Sequence, residues 1–204
     1  MASEKSRSWP FSRSSARSRR SAIAGLVVVS GPSGAGKTSV VAAALRRRPE
    51  FALSVSATTR PARDGEVEGV HYRFLTLEEF VRAEDAGEFL ETAWVHGARY
   101  GTPRDPVESS LGAGKTVVLE IDVQGAMAVR AAMPAAVLVF IEPPTPEVLR
   151  VRLQGRATEE AEVVERRLRN AASEMSAASE FDFRIVNDDL EDAIERLIRI
   201  LEAT

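Results

Sequence analysis

The chain contains no cysteine. Disulfide staples and thiolate metal sites are therefore excluded. It has only two histidines, His71 and His96. That argues against a histidine-based metal centre and against a Ser-His-Asp triad. No apolar run approaches the ~20 residues needed to span a bilayer. The expectation is a soluble, cytoplasmic chain with no membrane partner. Its 204 residues are 44% hydrophobic and 28% charged, which suits one globular domain with a real core.

Charge is unevenly spread. Lys5, Arg7, Arg13, Arg17, Arg19 and Arg20 against Glu4 give the first twenty residues a net +5. The overall charge is −3, so the other 184 residues carry −8. The first twenty are also Ser-rich and aperiodic, and residues 1–21 are read as a disordered tail. It suits a solvated leader, an acid-poor transit-like leader, or weak contact with nucleic acid or a membrane surface. No specific nucleic-acid partner is expected.

What the chain does have is Gly31-Pro32-Ser33-Gly34-Ala35-Gly36-Lys37-Thr38. This fits G-x-x-x-x-G-K-[ST]. A β-branched apolar run, Ile23 to Val29, precedes it, and a strong helix former beginning at Ser39 follows. A strand feeding a glycine-rich turn and then a helix lets backbone N–H groups converge on an anion, with the helix N-terminus behind them. Lys37 can reach the β- and γ-phosphates, and the Thr38 hydroxyl can bind Mg²⁺. Residues Gly31 to Ser39 are thus the candidate ATP site.

The rest of the chain alternates strand and helix patterns. Strands are expected at Ile23–Ser30, Phe51–Thr58, Val117–Asp122, Ala136–Ile141 and Phe181–Val186. Helices are expected at Lys37–Arg47, from Pro144 and Pro146 through Leu153, over Thr158–Glu180, and at Leu190–Glu202. Such spacing indicates a parallel sheet covered by helices on both faces. Residues 54–102 break the rhythm with short strands and one helix near Thr76–Glu84, which points to an inserted, mostly antiparallel lobe. Within it, Arg60 and Arg63 lie three apart, with Tyr72 and Tyr100 in the same lobe. Arginine forks suit phosphate oxygens, and phenolic hydroxyls can donate to them. A second phosphate site implies a second phosphorylated substrate.

At this point a resemblance carries the reading further. SVSATTRPARDGE (54–66), GVHYRF (69–74), FLETAWVHGARYGT (89–102) and VVLEIDVQG (117–125), following GPSGAGKT, resemble the motifs of the guanylate kinases. The resemblance covers about Leu26 to Leu201. It implies ATP:GMP phosphotransfer yielding ADP and GDP in purine nucleotide metabolism, with Mg²⁺ as cofactor and dGMP as a further acceptor. The implied fold is α/β: a phosphate-loop parallel-sheet core flanked by helices, with an inserted mixed GMP-binding lobe and a helical lid. The implied divisions within the domain 22–204 are core 22–53, 103–150 and 181–204, GMP lobe 54–102 and lid 151–180. Oligomeric state, monomer or dimer, is left open.

The resemblance also implies residue roles. Ser56, Glu91 and Thr102 meet the guanine base. Arg60, Arg63, Tyr72 and Tyr100 hold the GMP phosphate. Asp122, at the end of a buried strand, lies near GMP and metal. Arg152, Arg156 and Arg167 are lid-side arginines at the transferred phosphoryl group, catalytic together with Lys37. Asn187 borders the adenine. Chemistry supports the base assignment, since guanine's adjacent N–H donors suit a carboxylate such as Glu91. Arg166 and Arg169 read as ordinary helix-face arginines, and Trp94 as packing. Three positions depart from the family pattern: proline at 61 rather than 62, Ala57 and Ala157. The alternative reading is a non-catalytic guanylate-kinase-like module that binds phosphopeptides. The intact phosphate loop, with no partner domains expected to flank the core, favours the enzyme.

Overall fold

The computed structural model describes residues 25–95, 97–154 and 161–204, without the side chains of 161–164. β1 (Leu26–Ser30) is buried along its whole length. It pairs in parallel with β7 (Val117–Glu120) on one side and β8 (Val137–Glu142) on the other. β2 (Ala52–Leu53) and β9 (Phe183–Val186) form the edges, giving the order β2-β7-β1-β8-β9. Successive residues of a strand face opposite sides. Val27 and Val29 accordingly enter one core with α1 (Lys37–Arg47) and α7 (Leu190–Glu202). Leu26 and Val28 enter the other, with Ala126 and Val129 of α4 (Val123–Ala132). Burial on both faces explains why β1 is a continuous apolar run and not an alternating one. The chain leaves β1 between β7 and β8, and the crevice beyond such a switch point is where open α/β sheets bind ligands.

A second sheet has the order β4-β3-β6-β5. It comprises β3 (Ala57–Thr58), β4 (Arg73–Phe74), β5 (Phe89–Val95) and β6 (Ala98–Pro103). β3 pairs parallel with β4 and antiparallel with β6, so the sheet is mixed. Its small core is Ala57, Phe80 and Phe89, with Phe80 stacked on Phe89 at 4.6 Å. Phe80 comes from α2 (Leu77–Asp85), which Thr76 and Glu79 close with a reciprocal capping box. A Cβ on Gly101 would lie 2.8 Å from the Phe89 ring, so the aromatic pair requires glycine there.

Three expectations are corrected. Phe51–Thr58 is not one strand. It splits into β2 and β3, which belong to different sheets, because the chain passes between the two bodies at 54–56. Asp122 does not end a strand: β7 stops at Glu120, and Asp122 is the N-cap of α4. Trp94 is 60% exposed on β5 and does not pack into a core. Two helices had no sequence assignment, α3 (Arg104–Gly112) and α4. The charged C-terminal stretch forms α6 (Ala161–Ser176) followed by a 3₁₀ turn, Ala177–Glu180. Before it lies α5 (Pro146–Gln154).

Candidate active site

Gly31, Gly34 and Gly36 all have positive φ. At Gly31 a side chain would collide with the Ile141 carbonyl oxygen, and at Gly36 with the Asn187 amide. The loop therefore turns tightly between β1 and α1, in a conformation that needs glycine at these positions. Lys37 folds back over it, donating from Nζ to the carbonyls of Gly31 at 2.5 Å and Pro32 at 3.1 Å. Thr38 Oγ1 donates to Glu120 Oε1 at 2.6 Å. Glu120 lies at the C-terminal end of β7, next to the loop strand. Sequence reasoning assigned it no role, although a carboxylate ending a buried strand beside a phosphate loop is a readable signal.

A cavity of about 300 Å³ is lined by Gly31, Ser33, Gly34, Gly36, Lys37, Thr38 and Ser39 of the loop and α1, and also by Asp122. Its other wall includes Glu91 and Tyr100 of the second sheet, with Ser56 and Tyr72 from the residues that lead into β3 and β4. Strand geometry accounts for this wall. Glu91 pairs with Thr102 and Ala93 with Tyr100 across β5 and β6, so all four share one face. The register shifts between Phe89 and Glu91. That bulge lets Phe89 face the lobe core, lets Leu90 enter the main core, and still leaves Glu91 facing the cavity.

Glu91 is 7% exposed. Thr102 Oγ1 donates to its Oε1 at 2.6 Å. Burial pushes the Glu91 carboxyl up to about 7, with a further rise from the Asp122 charge and a counteracting pull from Thr102. Asp122 accepts from the Gly125 N–H at 2.7 Å. A Cβ on Gly125 would sit 2.8 Å from Glu91 Oε2. Gly125 thus serves both carboxylates, and the sequence reading had missed it.

Arg60 stacks over Tyr72 with 5.2 Å to the ring centroid, and its Nε lies 3.3 Å from the Tyr100 hydroxyl. Its guanidinium grips Glu66 through two 2.8 Å bonds. Those bonds hold the Glu66 carboxyl down at about 2 and raise Arg60 further. Arg63 is exposed, and its backbone N–H donates to the same Glu66. Glu66, a further residue without a sequence assignment, therefore organises both arginines.

From the opposite side, Arg152 donates to the carbonyls of Asn187 at 2.9 Å and Ala35 at 3.5 Å. Asn187 is buried and donates to Ala35 O at 2.7 Å. Arg167 is buried too, and its Nη2 donates to Ser33 Oγ at 2.7 Å. Arg166 and Arg169 are exposed. Arg156, Ala157 and His96 lie outside the described residues. His71 is exposed, and its Nδ1 accepts from the Val67 N–H at 3.0 Å.

The decisive comparison is with protein families. The guanylate kinase family model matches residues 24–204. The chain belongs to the guanylate kinase family. It is similar to the guanylate kinase of Frankia casuarinae, at 53% identity over 87% of this chain and 96% of that protein. The guanylate kinase of Rhodococcus jostii is 52% identical over 86% of each. Among solved structures, guanylate kinase from Anaplasma phagocytophilum matches with a TM-score of 0.75 and 37% identity, over 88% of this chain and 85% of that one. The phosphate loop of this guanylate kinase family member is intact, which does not favour a non-catalytic binding module. No helix among the described residues is long and apolar enough to cross a membrane.

Proposed function

We propose that the cavity holds ATP and GMP end to end, and that the chain moves the γ-phosphoryl group of ATP onto GMP or dGMP, giving ADP and GDP in the cytoplasm. The observation that carries this reading is the placement of Glu91, a buried carboxylate, across one cavity from Lys37 and the phosphate loop. Guanine offers two adjacent N–H donors, and the ionised Glu91 accepts both. The Ser56 hydroxyl serves the remaining polar edge, and Thr102 takes part in base recognition by holding Glu91 through its own hydroxyl. Adenine has no such donor pair and leaves Glu91 unpaired, which costs selectivity factors of ~10⁴ or more.

Arg60, Arg63, Tyr72 and Tyr100 hold the GMP phosphate. That phosphate is the nucleophile. Its second pKa is about 6, so no side chain needs to remove a proton. A GMP phosphate oxygen bonds to the γ-phosphorus as the bond to the β–γ bridging oxygen breaks, and ADP departs with the electron pair. Catalysis then rests on alignment and charge neutralisation. Lys37, Arg152 and Arg167 supply cations on the donor side, and the family pattern adds Arg156. Asn187 steadies the loop through Ala35 and borders the adenine.

The donor set also fits Mg²⁺. Thr38 and Glu120 present hard oxygens beside the loop, with Asp122 also lining the cavity. Among the described residues no three acidic or histidine side chains form a metal cage, which suits an ion held largely by phosphates and water. When bound, Mg²⁺ neutralises charge on the phosphates. Residues 151–180 would act as a lid that excludes water. The test is nucleotide separation after incubating the chain with ATP, Mg²⁺ and GMP. Equimolar ADP and GDP are expected, and ADP without GDP would overturn the reading.

A further inference from the structure

A guanidinium carries its five N–H donors in one rigid plane. At Arg60, Glu66 takes the end-on fork, Oε2 accepting from Nη1 and Oε1 from Nη2, both at 2.8 Å. The Pro61 carbonyl accepts from Nη1 at 2.7 Å. Among the described residues, one edge is then left with a donor to spare, the edge formed by Nε–H and the second Nη2 N–H. That edge meets the Tyr100 hydroxyl, 3.3 Å from Nε, and Tyr100 lines the cavity. The same edge is the side-on fork, a second pair of donors matched to an oxyanion.

The plane itself is held in place. It lies over Tyr72, 5.2 Å from the ring centroid, and the Tyr72 and Tyr100 rings meet edge on at 5.9 Å. The Arg60 and Glu66 side chains are only 15% and 17% exposed, so water competes little for their bonds. Glu66 Oε2 also accepts the Arg63 backbone N–H at 2.8 Å, which ties the turn between the two arginines to the same carboxylate. An arriving phosphate has two routes to Arg60. Displacing Glu66 from the end-on fork breaks three bonds to one carboxylate, and bonds to a charged group are the costly ones to lose. Taking the side-on edge breaks none of them. It costs only the repulsion between two anions on adjacent edges of one cation, which the cation itself offsets.

We propose that Glu66 is a positioning residue of the acceptor-phosphate site: it holds Arg60 by the end-on fork and stays there when GMP binds, so that the phosphate meets the side-on edge beside the Tyr100 hydroxyl. This rests on the reading of that site as the one that takes the GMP phosphate. An arginine without the anchor must be ordered by the ligand, and binding is weakened by the entropy lost.

The test compares wild type, Glu66→Ala and Glu66→Gln in the full chain. GMP affinity is measured by calorimetry, and guanosine, which lacks the phosphate, by its competition against GMP. Glu66→Ala is expected to weaken GMP binding roughly tenfold and to leave the guanosine constant unchanged. Glu66→Gln keeps one acceptor oxygen and should fall between the two. Tighter GMP binding in either variant would mean that Glu66 competes with the phosphate and is displaced by it, which overturns the inference. Unchanged GMP binding, or an equal loss for GMP and guanosine, overturns it as well. Melting curves establish that the variants are folded, and Glu66→Gln carries the comparison if the alanine variant does not fold. A wild-type chain that binds guanosine as tightly as GMP, or binds neither, would instead sink the phosphate-site reading itself.

Discussion

Thr102 faces Glu91 across the β5–β6 pair and donates a 2.6 Å hydrogen bond to a carboxyl that burial has pushed up to about 7. The raised value has two consequences of opposite sign. In the ligand-free protein the folded state binds a proton more tightly than the unfolded state does, from the ordinary value of 4.5 up to about 7. The Glu91 contribution to stability is therefore greatest below that window and is lost as pH rises through it, by about 3 kcal/mol at most. Urea midpoints across pH 4–8 should fall more steeply for wild type than for Glu91→Gln.

GMP bound as proposed should reverse the preference. Two guanine donors require the ionised carboxylate, so binding near neutral pH should expel the Glu91 proton. Calorimetry in two buffers of different ionisation enthalpy should show proton release at pH 6.5, reduced in Glu91→Gln. The phosphate of GMP titrates in both proteins, so the difference between them isolates Glu91. Identical proton release would remove Glu91 from base recognition.

Gly125 touches both carboxylates of the acceptor half, through its N–H to Asp122 and its bare Cα beside Glu91. Gly125→Ala should push Glu91 aside. A cost in the 1–3 kcal/mol range of overpacking corresponds to a rise in KM for GMP of roughly tenfold or more. The Kd for ATP should stay constant, and a matched loss on both substrates would show general unfolding instead.

Lys37 contacts only the donor loop among its hydrogen bonds described above. Lys37→Ala should lower kcat by on the order of 10³-fold or more. Equilibrium binding of GMP should persist. Loss of GMP binding would mean that the two phosphate sites have been interchanged.

Asn187 is a structural strut, whatever it contributes at the proposed adenine site. Its buried amide donates to Ala35 O, and its backbone N–H donates to Glu142 O at 2.8 Å. Asn187→Ala should destabilise the chain by about 1–3 kcal/mol, since a buried carbonyl loses a partner. Each kcal/mol corresponds to a Tm loss of about 2–4 °C at this size. Calorimetric melting measures it directly.

Much of this arrangement was legible in the chain itself. The phosphate loop announces itself because its glycines, lysine and threonine are contiguous. The bounds of α1 and α7 are readable because the apolar periodicity of each is uninterrupted. The split of residues 51–58 was not readable, because a continuous β-prone run does not reveal that its two ends join different sheets. α4 escaped because Gly125 and β-branched valines weaken its helical signature, although Asp122 caps it well. Glu66 and Glu120 were missed for another reason. An acidic residue in a charged segment looks solvated until the fold shows which cation or hydroxyl it meets.

The central claim is that Glu91, opposite the phosphate loop, selects guanine. Initial rates with GMP, AMP and dTMP as acceptors, at saturating ATP and Mg²⁺, test it most directly. GMP should exceed both others in kcat/KM by on the order of 10⁴-fold. Comparable values for AMP and GMP would contradict it.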